Sequence, residues 1–295
     1  MASQAVNGTS SAQAVGDLYD RADAMFRAFW GDNVHLGIWH PDTRSLSEAA
    51  QNLNAFLADF AALSASDTVC DIGSGYGATA HDLSRRCGAD VTGITISAAQ
   101  HSQAAQTQSA RVRFVHGDWL TCGFPSDSFS ALVAVESYAH MPSAESFFAV
   151  CQRVLRKGGK LVILEWHVEP HRTQESTTKR SPLLHRALLS QVRRHAQLPQ
   201  LQDISTLRRL AAEAGFETTS HRDLSALVKP TFRHLVQGAL SSLRKDSQLV
   251  MQLAKTKQRG SLFAAVVSTW IAFELGLLGY HAHLFTRRQE PPTET

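Results

Sequence analysis

The chain has 295 residues, of which 43% are hydrophobic and 19% charged, and its formal net charge is +3. This composition predicts a globular protein with a substantial core, and so small a positive excess argues against a nucleic-acid partner, which usually requires a basic stripe. No C-x-x-C pair and no secretory signal are visible, so we expect reduced thiols, a cytoplasmic protein and no metal site. The four cysteines are Cys70, Cys87, Cys122 and Cys151.

Residues 1–15 are small, polar and uncharged, and we expect them to form a disordered tail. A helix is predicted over 45–63, where Ser45 and Glu48 form a capping box and apolar side chains recur every three or four residues. Residues 16–64 are therefore assigned to a helical N-terminal region.

Strands and helices alternate over residues 65–167. Strands are predicted at 68–72, 90–96, 112–117, 129–136 and 160–167, and helices at 77–87, 97–109 and 143–156. This alternation predicts an α/β core with a mostly parallel sheet and helices on both of its faces.

The pattern changes after residue 167. Residues 168–202 are polar, basic and interrupted by proline, with a short helix predicted near 183–195. An insertion at this edge of such a sheet commonly forms a lid or an acceptor pocket. Residues 203–288 are expected to complete the core with helices and a last strand, and residues 289–295 to form a tail.

An apolar run at 261–285 is long enough to raise the question of a membrane span. Glu274 lies in the middle of the run, and a central carboxylate is costly in lipid. We therefore predict a buried helix followed by a strand, and no membrane association.

The loop VCDIGSGYGATAHDL follows the first predicted strand and contains Gly73, Gly75 and Gly77. The glycines match G-x-G-x-x-G/A, but a dinucleotide site also needs an acid about 20 residues on, where this chain has Thr95. Asp71 precedes the glycines and would disfavour a pyrophosphate while favouring an ammonium group. S-adenosylmethionine, which carries an ammonium, a sulfonium and a carboxylate, fits these residues better.

These segments resemble the class I S-adenosylmethionine-dependent methyltransferases. The carrying motifs are DIGSGYG, HGDWL at 116–120, VESYAHMP at 135–142 and LRKGGKLVILEW at 155–166. A closer resemblance is to the branch that contains tocopherol, sterol and prenyl C-methyltransferases and rebeccamycin-type sugar O-methyltransferases. This resemblance is carried by VTGITIS, ESYAHMP and the segment 18–39. The resemblance implies a Rossmann-like, doubly wound, seven-stranded sheet, an N-terminal helical cap and a lid after strand five.

The resemblance implies a cofactor site in which Asp118 contacts the adenine amine and Trp119 lies beside the ring. Since an acid is absent at residue 95, we expect hydrogen-bonding side chains there to hold the ribose instead, although Ser97 could simply cap a helix. The predicted cofactor residues are Asp71, Gly73, Gly75, Gly77, Thr95, Ser97, Gln100, Asp118, Trp119 and Glu136.

In rebeccamycin-type enzymes a histidine and an acid form the catalytic pair, and the resemblance carries these roles over to His140 and Glu165. The alternatives are a loop histidine and a structural ion pair. The predicted acceptor or lid residues are Tyr19, Trp30, Trp39, His167 and Arg180, each of which could instead be a packing or solvated residue. Basic residues around Arg180 could clamp a diphosphate, and Mg²⁺ is expected only in that case.

The resemblance implies methyl transfer from S-adenosylmethionine to a small hydrophobic natural-product or isoprenoid acceptor. Carbon methylation is favoured slightly, because both His140 and Glu165 could accept a proton. The alternatives are O- or N-methylation, C-methylation of a prenyl diphosphate, and a cofactor-binding protein or cyclase that transfers no methyl group. A homo-oligomer is compatible with the sequence.

Overall fold

Strands rich in valine, isoleucine and leucine form the centre of the molecule, as expected for a sheet buried on both faces. The computed structural model describes residues 11–169, 182–245 and 257–289. The strands are β1 Thr68–Ile72, β2 Asp90–Thr95, β3 Val112–His116, β4 Phe129–Val135, β5 Leu155–Val168, β6 Phe216–Asp223 and β7 Leu278–Arg287. They form one seven-stranded sheet in the order β3-β2-β1-β4-β5-β7-β6.

The register of the sheet confirms the predicted Rossmann-like fold. Strands β1 to β5 pair in parallel, whereas β7 runs antiparallel to both β5 and β6. Strand order reverses between β1 and β4, and in such sheets ligands bind in the crevice beyond the carboxyl ends at this reversal.

Ten helices accompany the sheet in the described part of the chain. They are α1 Ser11–Trp30, α2 Leu46–Phe60, α3 Ala78–Cys87, α4 Ala98–Ala104, α5 Ala144–Val154, α6 Pro182–His195, α7 Ile204–Glu213, α8 Ser225–Val228, α9 Pro230–Lys245 and α10 Lys257–Glu274. None of these described helices is both long and apolar enough to cross a membrane.

Alternate side chains of each strand bury into two separate apolar layers. Val69 and Val133 pack on one face with side chains of α2, α3, α6 and α10. Cys70 and Leu132 pack on the other face with side chains of α5 and α7. Burial on both sides holds the strand ends, and therefore the loops that follow them, in a fixed arrangement.

Several boundaries differ from the predictions. Helix α1 begins at Ser11, so residues 11–15 are helical rather than part of a tail. Strand β5 begins at Leu155, which pairs with Phe129 before an irregularity in register. Gly158 has φ of +74° there, so the residues before the predicted strand start at 160 form a bulge within a longer strand. The predicted site residue Arg180 lies outside the described residues.

Candidate functional site

A cleft opens at the carboxyl ends of β1, β2 and β4, where strand order reverses. The empty space within it, including the solvent at its open mouth, is about 970 Å³. Helix α1 and the segment 32–35 form its outer wall. We call it the cofactor cleft, and its predicted lining residues are Tyr19, Asp71, Gly73, Gly75, Thr95, Gln100, Asp118, Trp119, Glu136 and His140.

The glycine loop forms the floor of the cofactor cleft. Gly73 and Gly75 line it with φ of +78° and +54°, a region that side chains rarely adopt. A Cβ atom on Gly73 would lie 2.5 Å from the Cβ of Ser137. Gly77 does not line the cleft; its Cβ would lie 2.3 Å from the Phe114 ring. Gly77 therefore allows α3 to begin close against β3. The sequence predicts a cofactor contact for Gly77, but in the structure this residue lies outside the cleft lining.

Asp71 is the last residue but one of β1, and its buried side chain lines the cofactor cleft. Its Oδ2 atom has no hydrogen-bond partner within the described residues, and the same is true of Ser74 Oγ. Burial raises the pKa of the Asp71 carboxyl to about 7. A buried, unpaired carboxylate is costly, so these atoms suit a ligand that supplies an ammonium and further donors.

The end of β2 carries a hydrogen-bonded pair where related folds have an acid. Thr95 Oγ1 donates to Gln100 Oε1 at 2.9 Å, which leaves the amide donors of Gln100 for a ligand. Ser97 accepts the Gln100 backbone N–H at 3.1 Å and also contacts Asp20. Ser97 does not line the cleft. It therefore caps α4 and fastens α1 to the core, and the prediction of a direct cofactor contact is not supported.

Asp118 and Trp119 lie together on the far wall of the cofactor cleft. Asp118 Oδ1 accepts the Leu120 N–H at 2.9 Å, which fixes the short turn that follows β3. The Trp119 ring is buried and packs against Phe147, with ring centroids 6.4 Å apart. The pair presents one carboxylate edge and one flat apolar surface, which suits a purine.

A second cavity of about 770 Å³ adjoins the cofactor cleft. Its described walls are almost entirely apolar and include no lysine or arginine, and we call it the apolar chamber. The lining residues are Leu18, Tyr19, Trp30, Val34, Leu36, Glu136, His140, Trp166, Ala196, Leu198, Phe232, Val266 and Thr269. Tyr19, Val34, Glu136 and His140 line both cavities and form their junction.

His140 is held at the junction in one orientation. Its Nδ1 atom lies 3.0 Å from the carbonyl oxygen of Gln197, which can only accept, so Nδ1 carries the proton. Nε2 is then an acceptor and receives the Tyr19 hydroxyl at 3.2 Å. Burial lowers the pKa of His140 to about 4, so the ring is neutral at physiological pH. The ring thus presents an unprotonated Nε2 atom, which can accept a proton, at the junction of the two cavities.

Glu136 follows β4 and, like His140, lines both cavities; its φ is +50°. Such a backbone conformation is strained for a non-glycine residue and points to a functional constraint. Its Oε1 accepts the Leu36 N–H at 2.7 Å, and burial raises the pKa of the carboxyl to about 7. The sequence motif suggested that Glu136 shapes the cofactor pocket; in the structure it also faces the apolar chamber.

Glu165 lies outside both cavities, in contrast to the prediction of a catalytic base. Its Oε2 accepts the Ala139 N–H at 2.9 Å and its Oε1 accepts the Trp166 N–H at 3.0 Å. Burial raises the pKa of this carboxyl to about 8. Because both oxygens bind backbone, Glu165 holds the Tyr138–His140 turn rather than reaching an acceptor.

The predicted acceptor residues divide into two groups. Tyr19 and Trp30 line the apolar chamber, as expected. Trp39 does not; its ring stacks on His234 at 4.0 Å and its Nε1 donates to Thr231 at 2.9 Å. His167 is also buried away from the chamber, with Nδ1 3.1 Å from the Gln202 carbonyl and Nε2 3.1 Å from His283.

Some lining residues were not singled out by the sequence. Asn33 lines the cofactor cleft, and its buried Oδ1 has no hydrogen-bond partner in the described ranges. Phe232 and Val266 line the apolar chamber from α9 and α10. Asn33 lies in the segment 18–39 that carries the family resemblance, which is a usable signal, whereas nothing local distinguishes Phe232 and Val266 from core residues.

The mycolic acid cyclopropane synthetase family matches residues 7–258 of the chain. Methyltransferase GfsG from Streptomyces halstedii is 37% identical over 159 residues, which cover 51% of this chain and 57% of the relative. The 27-O-demethylrifamycin SV methyltransferase from Amycolatopsis mediterranei is 30% identical over 224 residues, covering 74% of this chain and 79% of the relative. The chain thus spans little more than half the length of GfsG.

Solved structures share the fold at low sequence identity. The cyclopropane synthase MmaA2 from Mycobacterium tuberculosis has a TM-score of 0.79 and 18% identity, with 95% of this chain and 100% of that chain covered. The [4+2]-cyclase SpnF has a TM-score of 0.76 and 21% identity, with 97% and 100% covered. A geranyl diphosphate C-methyltransferase from Streptomyces coelicolor A3(2), solved with Mg²⁺, geranyl diphosphate and S-adenosyl-L-homocysteine, has a TM-score of 0.70 and 18% identity, with 96% and 100% covered.

The family match extends over most of the chain, and the seven-stranded sheet agrees with it. Three of the segments that carry the motif resemblance, DIGSGYG, HGDWL and VESYAHMP, contribute residues to the cofactor cleft. The chain belongs to the mycolic acid cyclopropane synthetase family of class I S-adenosylmethionine-dependent methyltransferases.

Proposed function

We propose that this protein transfers a methyl group from S-adenosylmethionine to a small, uncharged, largely apolar acceptor that presents a hydroxyl group or an acidic carbon. The observation that carries the proposal is the junction of the two cavities, where His140 directs a neutral, unprotonated Nε2. A cofactor in the cleft and an acceptor in the apolar chamber would meet at this place.

Four groups in the cofactor cleft would hold the cofactor. Asp71 would bind the ammonium, and the backbone at Gly73 and Gly75 would approach the methionine part. Gln100 would donate to the ribose, and Asp118 with Trp119 would hold the adenine. When bound, S-adenosylmethionine supplies an electrophilic methyl group on a positively charged sulfur. The two unpartnered buried oxygens of Asp71 and Ser74 support this fit.

The chain's own contribution to the reaction is positioning, exclusion of water and proton removal. Aromatic walls such as Trp166 and Phe232 would orient the acceptor and keep water out. The Tyr19 hydroxyl occupies the place where an acceptor hydroxyl would meet His140 Nε2. His140 would take the acceptor proton, and Glu136, which lines the same junction, would stabilise the imidazolium that forms. This arrangement serves both carbon and oxygen acceptors, and N-methylation would need less help from a base.

A neutral acceptor is favoured over a diphosphate. The described walls of the apolar chamber carry no lysine or arginine, and a diphosphate would need cations or Mg²⁺ there. The basic residues near Arg180 lie outside the described residues. If a diphosphate were bound, Arg180→Ala would raise the acceptor KM strongly and leave cofactor affinity intact; unchanged kinetics with or without Mg²⁺ would remove that alternative.

The proposal is tested by incubating the protein with methyl-labelled S-adenosylmethionine and a lipid-soluble metabolite extract. We expect the wild type to transfer label to an organic-soluble product. The rate of transfer should fall by about 100-fold or more in His140→Gln and stay unchanged in the control His40→Gln, whose side chain is exposed. Cofactor affinity should be equal in all three proteins. Tight cofactor binding with no labelled product would instead favour a non-methylating protein such as a cyclase, and full turnover in His140→Gln would exclude His140 as the base.

A further inference from the structure

Residues 196–202 connect α6 to α7 and cross the turn that carries His140; we call this segment the strap. Gln200 donates its backbone N–H to the Ala139 carbonyl at 3.0 Å and its side-chain amide to the Pro142 carbonyl at 3.3 Å. The Gln202 amide also contacts the hydroxyl of Tyr138. The strap is therefore bound along the whole length of the Tyr138–His140 turn.

Gln197 is the strap residue that contacts the His140 ring, and it does so through its backbone carbonyl. Its φ of +53° lies in the left-handed region, which is unfavourable for any residue other than glycine. Such strain persists only where the surroundings impose it, and it clusters at functional sites. Here the left-handed residue turns the carbonyl toward His140 Nδ1, immediately after α6 ends.

The far end of the strap is anchored to the sheet by a buried histidine pair. The Gln202 carbonyl accepts both the Val168 N–H and His167 Nδ1–H, each at 3.1 Å. His167 Nε2 must then be an acceptor, so His283 Nε2, 3.1 Å away, is the donor. Both rings are almost completely buried. This fixed chain of hydrogen bonds gives His167 a structural purpose in place of the acceptor contact that was predicted.

The near end of the strap is fixed as well. Leu198 donates its N–H to the Arg193 carbonyl at 3.0 Å, and the Arg193 guanidinium returns to the Leu201 carbonyl at 2.7 Å. Leu198 and Leu201 are buried. With both ends held, the carbonyl of Gln197 has little freedom to move away from the imidazole.

We infer that the strap is the positioning element of the base: the Gln197 carbonyl keeps the His140 proton on Nδ1 and so keeps the Nε2 lone pair directed at the junction of the two cavities. Gln197 touches neither cavity and is a positioning residue. The inference rests on the proposed function, in which His140 is the base, and adds the part of the chain that sets its tautomer.

The test uses the full chain with ¹⁵N-labelled histidine, and NMR reports which ring nitrogen of His140 carries the proton. His140→Gln identifies the signal. Gln197→Gly permits a left-handed residue, whereas Gln197→Pro forbids one because proline fixes φ near −65°. Melting temperature and S-adenosylmethionine affinity show whether each variant is folded, and Gln197→Val replaces the proline variant if that one does not fold.

We expect the Nδ1–H form in the wild type and in Gln197→Gly. In Gln197→Pro the ring should exchange between both tautomers, and label transfer in the extract assay should fall by about tenfold. A His140 that keeps the Nδ1–H form in the folded Pro or Val variant would overturn the inference. That failure is distinct from failure of the proposed function, because the NMR signal requires no acceptor and His140→Gln reports separately on the base.

Discussion

The cofactor cleft and the apolar chamber share a wall but differ in how the chain builds them. The cleft is assembled from loops that directly follow β1, β2, β3 and β4, and it presents buried polar atoms without partners. The chamber takes its walls from α1, the strap, α9 and α10, and presents almost only apolar surface. The difference indicates that the cleft offers specific polar contacts to a ligand, whereas the chamber offers mainly an apolar shape.

A change to the glycine loop should have the largest effect and should affect the cleft alone. Gly73→Ala places a Cβ 2.5 Å from Ser137 Cβ at a φ of +78°. Strain and overlap together predict a loss of S-adenosylmethionine affinity of about 100-fold, measured by calorimetry. Gly123→Ala is the control, since a Cβ there meets nothing within 4 Å. Equal affinities in the two variants would contradict the assigned position of the cofactor.

Cofactor binding in the cleft should depend on pH, because the ammonium group of S-adenosylmethionine should bind the ionised carboxylate of Asp71. The apolar chamber has no such contact in the proposed function. The pKa of the Asp71 carboxyl is about 7 in the free protein, so the ionised fraction falls below pH 7. Affinity should be about tenfold weaker at pH 6 than at pH 8 or above. Asp71→Asn should bind weakly at every pH. A wild-type affinity that does not change over this range would show that Asp71 does not titrate against the ligand.

A change to the apolar chamber should leave the cleft unaffected. Val266→Phe adds volume to a wall that α10 contributes, away from the shared junction. We expect the acceptor KM to rise by about tenfold and cofactor affinity to stay within about twofold. An equal effect on both ligands would mean that the two cavities act as one site.

The smallest expected effect is a pH dependence of the protein's stability, which three buried carboxyl groups should cause. The folded-state pKa values of Asp71, Glu136 and Glu165 are about 7, 7 and 8, and all lie above their unfolded values near 4. Between the unfolded pKa near 4 and the folded pKa of 7 to 8, the folded state binds more protons than the unfolded state. The free energy of unfolding therefore decreases as pH rises, until the pH passes the folded pKa values. The lowered pKa of His140 acts in the opposite direction, but only below its unfolded value of about 6.5.

The melting temperature of the cofactor-free protein should therefore fall by at least about 5 °C between pH 6.5 and pH 8.5. Glu165→Gln should show a smaller fall over the same interval, whatever its absolute stability. A flat profile in the wild type would indicate that these carboxyls are ionised in the folded protein.

The fold and the cofactor cleft were largely predictable because their signals are local in sequence. Alternating strand and helix periodicities predict the parallel core. Asp71 lies near the end of the first strand, and Gly73 follows that strand directly. Pattern also has limits within this region. Gly77 and Ser97 match the motif by position, but one serves helix packing and the other a helix cap.

The base and the chamber could be predicted only in part. His140 is reached by resemblance, but its partners Tyr19 and Gln197 are 121 and 57 residues away along the chain. Glu165 is a plausible base from its place near the end of β5, whereas in the structure both of its oxygens accept backbone N–H groups, which the sequence does not reveal. Apolar wall residues such as Phe232 carry no pattern that distinguishes them from the core.

The most direct test is a crystal structure with bound S-adenosyl-L-homocysteine. We predict its ammonium within hydrogen-bonding distance of Asp71, its adenine beside Trp119, and its sulfur facing the junction near His140 and Glu136, with the apolar chamber still open. A ligand that lies in the apolar chamber, or whose sulfur points away from His140, would contradict the account.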